Sequence, residues 1–497
     1  MSLTRTVGLV AGTTLALSGA AFASTDANND ALAQIAQLKA ELNALKAQSG
    51  ENWLTEQRAL EIKGLVQDVL ADADTRASLQ GAGMTAGWDN GFFLASADGN
   101  FRLNVRGGAQ IRWSLSHRDE VPAADVPGDG GGVPGDGGGV PGGGGGVPAA
   151  GRKTNWGFAS RFAGLSFDGH IVDPSWQYKL AFAFFDASGD YDGETVGGTA
   201  FLTDWWILKD FGGFYAKAGQ FVAPYARERM LGDYNLQFLD RSNTSYVFGL
   251  GRTQGIELGF ISDMFRIAGS YNDGVGPNSP TQNRGFLPPS ASPGADFAIT
   301  GRGELKLAGT WRQFEYQQSW RGDEFGLLVG LGGFYQSGRN GLGTIIIGAP
   351  GPFGTDGNNY GFTADVTLAG GGWNAVAAFF YYNADDKFTG NVGGGDSEAF
   401  GVLVQGGFFL TEEFELVGRW EYGDVSNLGN VVPNNLQSNF TIGGNYYFAR
   451  NRAKWSTDLT YAYHGLEVFA VPGNGFYPDT ATGDGQFVFR TGVTISF

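Results

Sequence analysis

The stretch Phe101-Arg102-Leu103-Asn104-Val105-Arg106-Gly107-Gly108-Ala109-Gln110-Ile111-Arg112-Trp113-Ser114-Leu115 alternates between two kinds of side chain. Phe101, Leu103, Val105, Ala109, Ile111, Trp113 and Leu115 fall on one face, and Arg102, Asn104, Arg106, Gln110, Arg112 and Ser114 on the other. A period of two is the period of a β-strand, so one face is greasy and the other polar to cationic. The register returns in Trp176, Tyr178, Leu180, Phe182 and Phe184, and in Trp373, Ala375, Ala377, Phe379 and Tyr381. It returns again in Phe440, Ile442, Tyr446 and Phe448, in Trp455, Leu459, Tyr461 and Tyr463, and in Phe487, Phe489, Val493, Ile495 and Phe497.

Working outward from Phe101, sixteen such segments can be marked, starting near residues 101, 156, 176, 201, 213, 253, 264, 298, 325, 358, 373, 399, 414, 438, 454 and 485. The connections alternate. Short ones include Gly212-Gly213, Ser262-Asp263, Ala369–Gly372, Thr411–Glu413 and Ala449–Ala453, and long ones include Ser116–Asn155, Val222–Arg252, Asp273–Asp296 and Gly465–Asp484. An even number of alternating segments with aromatics near both ends, short turns on one side and long loops on the other, predicts a closed antiparallel transmembrane β-barrel of about 16 strands. Gly309–Glu324 breaks the pattern: it should be a short turn and is long, so register is least secure there. The competing fold is a soluble β-sandwich, whose segments would be shorter and lack paired end aromatics.

Composition agrees with the barrel. Of 497 residues, 83 are Gly and 39 Phe, and 17% are charged, against the roughly 25% usual in soluble domains. The absence of Cys excludes disulfide frameworks, thiolate metal sites and Cys nucleophiles. No segment after the amino terminus offers the ~18 consecutive apolar residues of a spanning helix, so any membrane crossing must use strands.

Residues 1–23 carry Arg5 alone as charge, an apolar run through Val7–Leu17 and the ending Ala21-Phe22-Ala23, which is the order of a secretory signal peptide. The mature chain is expected to begin at Ser24, with a formal charge of −18 in place of −17. Residues 24–85 read as a helical segment on the periplasmic side. Ala31, Ile35, Leu38, Leu42 and Leu45 recur at coiled-coil spacing, and a second helix is expected from Trp53 to about Leu79. Either this face joins copies of the chain or it packs on the rest of the protein. Residues 86–497 are the barrel. Within 117–154, Val126-Pro127-Gly128-Asp129-Gly130-Gly131-Gly132 repeats at Val133 and, with Gly143 for Asp, at Val140, giving a tether that cannot bury a core.

Several stretches resemble the phosphate-selective porin O and P family of Gram-negative outer membranes. They are Gly87-Trp88-Asp89-Asn90-Gly91-Phe92-Phe93-Leu94-Ala95-Ser96-Ala97-Asp98-Gly99-Asn100-Phe101, and Ala218-Gly219-Gln220-Phe221-Val222-Ala223-Pro224 followed by Arg227-Glu228. Weaker likenesses are Phe162–Gly169 and Gly251-Arg252. The resemblance implies a sixteen-stranded trimeric barrel in the outer membrane whose third outer loop, here Val222–Arg252, folds inward as the constriction. A final strand ending on Phe497 is similar to the signal read by barrel-insertion machinery. The family selects anions with a lysine-rich constriction, whereas Val222–Arg252 has Arg227, Arg229, Arg241 and Arg252 against Glu228, Asp233 and Asp240, and no lysine.

Alternation assigns Arg102, Arg106, Arg112, Lys179, Arg302 and Lys306 to the water-filled face, together with Asp168, Glu257, Glu304, Asp365, Glu415, Glu421 and Asp458. Fixed lumen charges of one sign set a channel's selectivity. The candidate pore residues are therefore Arg227, Glu228, Arg229, Asp240, Arg241, Arg252, Arg102, Arg106, Arg112 and Lys179. Either these arginines draw anions, or they pair with carboxylates and hold the constriction in shape.

The expected function is passive diffusion of small hydrophilic solutes and ions with some anion preference. The alternative is a barrel that serves as a surface or envelope-anchoring element. No enzyme is expected, because His117, His170 and His464 lie far apart with no Ser and Asp or Asn grouped beside them. No cofactor, metal or nucleic acid is expected. Asp186–Gly193 spaces oxygen ligands as calcium loops do but lacks the twelfth-position Glu. The expected partners are outer-membrane lipid, inorganic anions or small solutes, and two further copies of the chain.

Overall fold

The computed structural model describes residues 26–49, 63, 84–89, 91–118, 154–184, 201–274, 297–338, 355–388, 395–424, 436–463, 476 and 485–497. The leader at 1–23, the VPGDGGG tract, the Asp186–Gly193 loop, His464 and all but residue 63 of the expected second helix lie outside the described residues. Two compact units are distinguished, one of residues 1–105 and 169–174 and the other of 106–168 and 175–497.

In the first unit, α1 (Asp26–Ser49) carries the coiled-coil spacing, and its Leu38 and Leu42 are exposed. The strands β1 (Met84–Trp88) and β2 (Phe92–Ser96) form a hairpin, with Trp88 opposite Phe92. β2 pairs with the start of β3 (Arg102–Arg118), Phe92 lying opposite Val105. The period-two reading treats residues 87–101 as a lead-in to the first strand. Five residues per strand are too few to show an alternation distinct from that lead-in.

The second unit is built from β3 and fifteen strands that follow: β4 (Thr154–His170), β5 (Trp176–Ala183), β6 (Phe201–Asp210), β7 (Phe214–Val222), β8 (Arg252–Ile261), β9 (Phe265–Asn272), β10 (Phe297–Ala308), β11 (Gly326–Gly338), β12 (Thr355–Gly370), β13 (Trp373–Phe388), β14 (Gly395–Phe409), β15 (Phe414–Asp424), β16 (Leu436–Tyr447), β17 (Ala453–Ala462) and β18 (Gln486–Ser496). Each strand pairs with the next, and β18 returns to β3 with Gln486 opposite Arg118 and Ser496 opposite Gly108. The result is a closed sixteen-stranded antiparallel barrel. Closure leaves no row of unpaired backbone groups, which hydrocarbon would not tolerate.

Polarity is inverted relative to a soluble domain. Ile256, Leu258, Ile267, Leu305, Leu331, Phe362, Val404, Ile442 and Val493 point outward and are exposed, while Gln110, Arg112, Glu257, Thr300, Arg302, Asp365, Arg419, Glu421, Asp458 and Arg490 point inward and are buried. Aromatics cluster toward both strand ends. Phe260 packs with Phe214 and Phe265 at one end of β7–β9, and Tyr271, Phe297 and Tyr335 stack in series at the other end of β9–β11. An apolar outer band between two aromatic girdles is the surface a lipid bilayer requires.

Candidate functional site

The connection between β7 and β8 turns into the barrel and stays there. It contains α2 (Arg227–Met230), a 3-10 turn at Asp233–Asn235 and α3 (Asn243–Phe248). Ser242 caps α3 by accepting a hydrogen bond from the Ser245 amide at 3.0 Å. The Glu228 carboxylate accepts in turn from the Ser242 hydroxyl (2.5 Å) and amide (3.2 Å), so the two short helices brace one another.

Apolar contacts hold one side of this loop to the wall. Tyr225 meets Phe334 of β11 edge-on at 5.4 Å, and Phe248 stacks on Phe380 of β13 at 6.0 Å. Glycines in the wall allow the approach. A Cβ on Gly332 would sit 2.6 Å from the Tyr225 carbonyl oxygen, and one on Gly401 would sit 2.6 Å from the Thr244 methyl and 2.7 Å from the Phe248 ring.

Polar ties complete the attachment. The Asp240 carboxylate receives Arg112 of β3 at 2.5 Å and Arg490 of β18 at 3.0 Å, and its carbonyl receives Arg419 of β15 at 3.0 Å. Arg490 also holds Asp458 of β17 at 2.7 Å. Glu421 accepts from the Thr244 amide at 2.9 Å, and Glu415 accepts from Gln237 (2.7 Å), Asn445 (3.0 Å) and Tyr447 (2.6 Å). These groups are buried, and three arginines, Arg112, Arg419 and Arg490, stand among four carboxylates, Asp240, Glu415, Glu421 and Asp458.

The residues singled out by sequence are thus divided. Arg112 and Asp240 come together as a buried pair. Arg241 donates to the carbonyls of Glu228 and Leu231 and pairs with Asp233 at 2.8 Å. Arg227 donates to the Phe314 carbonyl at 2.7 Å, and Arg229 lies over the Tyr246 ring at 5.1 Å. Burial pulls both of these guanidiniums down to about 10, opposed at Arg227 by Glu304 and Asp365 and reinforced at Arg229 by Arg241; both stay charged at neutral pH. Arg102 belongs to the other unit, where it pairs with Asp89 at 2.8 Å and lies over Phe93.

Arg106, Lys179 and Arg252 have a different setting. Arg106 pairs with Asp168 at 2.6 Å, and Arg252 pairs with Asp204 at 3.0 Å, where Lys179 also acts electrostatically. In the pairs that link one wall strand to another between β3 and β10, the cation is the more exposed member. Side-chain exposure is 44% for Arg106 against 19% for Asp168, 33% for Arg252 against 7% for Asp204, 33% for Arg266 against 3% for Glu304, and 15% for Lys217 against 4% for Glu257. The loop pair runs the other way, with Asp233 more exposed than Arg241. Around β15–β18, by contrast, both members of each pair are at 4% or less. Lys217, Arg266 and Arg490 were not singled out from sequence, although period-two alternation places each on the polar face of its strand.

The Gly309–Glu324 connection, the odd one in the alternation, is a folded element. Register between β10 and β11 is regular apart from a bulge between Lys306 and Ala308, and the chain then forms a 3-10 turn at Trp311–Phe314 and buries Phe314, Gln317, Gln318, Ser319 and Trp320. Of the histidines, His117 contacts Thr154 Oγ1 through Nδ1 at 2.7 Å and His170 contacts the Gly99 carbonyl through Nε2 at 2.9 Å.

No family model and no curated relative matches this chain. Among solved structures, it is similar to an anion-selective porin from Comamonas acidovorans at 10% identity, covering 80% of this chain and 99% of that one, with a TM-score of 0.49. It is also similar to the outer membrane channel DcaP of Acinetobacter baumannii (10% identity, 81% and 99% covered, TM-score 0.46) and to OprB of Pseudomonas putida (13% identity, 79% and 94% covered, TM-score 0.44).

Proposed function

We propose that this chain is a porin of the Gram-negative outer membrane, through which small hydrophilic solutes and ions diffuse passively and anions pass more readily than cations. A closed barrel with an apolar exterior and a polar interior supports the channel reading. Anion preference rests on one observation: in the interstrand pairs Arg106–Asp168, Lys217–Glu257, Arg252–Asp204 and Arg266–Glu304 the cation is the more exposed member, and its carboxylate partner sits behind it. A fixed charge in water beside a low-dielectric wall focuses its field into the passage, and a recessed, paired carboxylate contributes less there. Arg106, Lys179 and Arg252 are the proposed anion-guiding residues. Arg112, Arg227, Arg229 and Arg241, with Glu228 and Asp240, are proposed to shape the constriction. Motif likeness to the phosphate-selective porin O and P family supports assembly as a homotrimer and delivery through the strand ending at Phe497. It leaves phosphate itself unfavoured, because the inward loop has no lysine.

The test is the reversal potential of reconstituted protein in a tenfold KCl gradient. The wild type should show chloride preference, and the combined change Arg106→Gln, Lys179→Gln, Arg252→Gln should move the potential toward zero or to the cation side. A wild-type potential already on the cation side, or one that the triple variant leaves unmoved, would reject the assignment.

A further inference from the structure

We infer that the turn between β10 and β11, residues 309–325, is a second pore-narrowing element: a strut that crosses the mouth of the barrel, supports the inward loop from the opposite side and confines solutes to the β4–β9 side of the lumen. The inference rests on the channel reading above and adds the element that sets the size of its opening.

Length and reach come first. Other described connections on the same side of the barrel are brief, among them residues 211–213, 262–264, 371–372, 410–413 and 448–452. The 309–325 segment leaves β10 and returns to β11, yet its contacts lie far around the wall. Trp320 packs on Phe409 of β14 at 5.3 Å and edge-on against Tyr447 of β16 at 4.9 Å. Arg321 donates to the carbonyls of Phe409 and Leu410, both at 2.9 Å, and Asn451, beyond β16, donates to Gln318 at 3.1 Å. From β11 to β16 is five strand spacings, on the order of 24 Å along the wall. A segment that spans this distance, with Gln318 and Ser319 fully buried, runs across the opening and not along its rim.

The strut meets the inward loop through six hydrogen bonds. Arg227 donates to the Phe314 carbonyl (2.7 Å), Asn235 to the Glu315 carbonyl (3.0 Å) and the Gln317 amide to the Asn235 carbonyl (3.0 Å). The Gln317 side chain accepts from the Gln237 amide (2.8 Å) and donates to Glu228 (3.4 Å), and Gln318 donates to the Leu236 carbonyl (2.8 Å). A loop tied only to the wall could lift away; one tied also to a strut beneath it is fixed from two directions. The seam explains why Gln317 and Gln318 stand where a two-residue turn would serve, since each amide side chain supplies both a donor and an acceptor. Burial follows the same division. Among residues whose burial is described, β4 has no buried residue, β5 only Ala181 and β6 only Asp204, whereas inward-facing residues of β10 and β15–β18 are buried almost throughout and most of those of β3 are buried too.

The experiment replaces residues 310–323 by a two-residue Asn-Gly turn and compares single-channel conductance with wild type in planar bilayers, with far-UV circular dichroism and heat-modifiable gel mobility confirming a closed barrel. Conductance should rise at least about twofold, because ion flow scales with the open cross-section. The chloride-side reversal potential should persist, since Arg106, Lys179 and Arg252 are untouched. A folded variant with wild-type conductance would overturn the inference. If the replacement does not fold, the pair Gln317→Ala, Gln318→Ala decides: larger or noisier open-channel current is expected, and current identical to wild type in size and noise would reject the strut. Absence of current in the wild type would instead overturn the channel reading itself.

Discussion

Asp240 is the residue on which the inward loop's ion pairs with the wall converge. It gives its carboxylate to Arg112 and Arg490 and its carbonyl to Arg419, all within 3.0 Å and all buried. Removing one member of such a cluster leaves uncompensated buried charge, which typically costs about 3–5 kcal/mol. Asp240→Asn should therefore lower the unfolding midpoint of the barrel in detergent and increase protease cleavage within residues 223–251. A variant as heat-stable and protease-resistant as wild type would show that the cluster does not anchor the loop. Arg112 illustrates how a residue legible as lumen-facing from its alternation acquires a role that alternation cannot give: its partner lies 128 residues away, on a loop whose path is set by packing.

At the scale of elements, the sixteen strands were visible in the sequence because lipid on one side and polar surroundings on the other force a period of two that no local propensity obscures. Most expected starts lie within three residues of the observed ones. The β1–β2 hairpin was not visible, because strands of five residues carry too few repeats. The inward loop was placed by family likeness and by its length, and its detailed seating on Gly332 and Gly401 was not legible, since glycine in a strand signals close approach without naming what approaches. The strut announced itself only as a connection of the wrong length. A measurement at this scale exploits the absence of native cysteine. Single cysteines at Lys179 or Arg252 should be modified rapidly by a negatively charged methanethiosulfonate reagent, with a fall in current, while cysteines at Gln437 or Thr460 should resist. Equal modification at all four would contradict a passage confined to the β4–β9 side.

For the molecule as a whole, the formal charge of −17 and the proposed anion preference have opposite signs. Selectivity follows from which charges stand in the passage, not from their sum, and the carboxylates that face Arg252, Arg266 and Lys217 are recessed behind them. The inverted polarity of the wall makes a bilayer its natural solvent and water the natural filling of the lumen that loop and strut leave open. The most direct test is single-channel recording of the purified, refolded full chain in a planar bilayer. Discrete current steps whose size grows in proportion to salt concentration are predicted. A correctly folded barrel that inserts without producing any step would contradict an open aqueous passage and leave the barrel an anchoring element of the envelope.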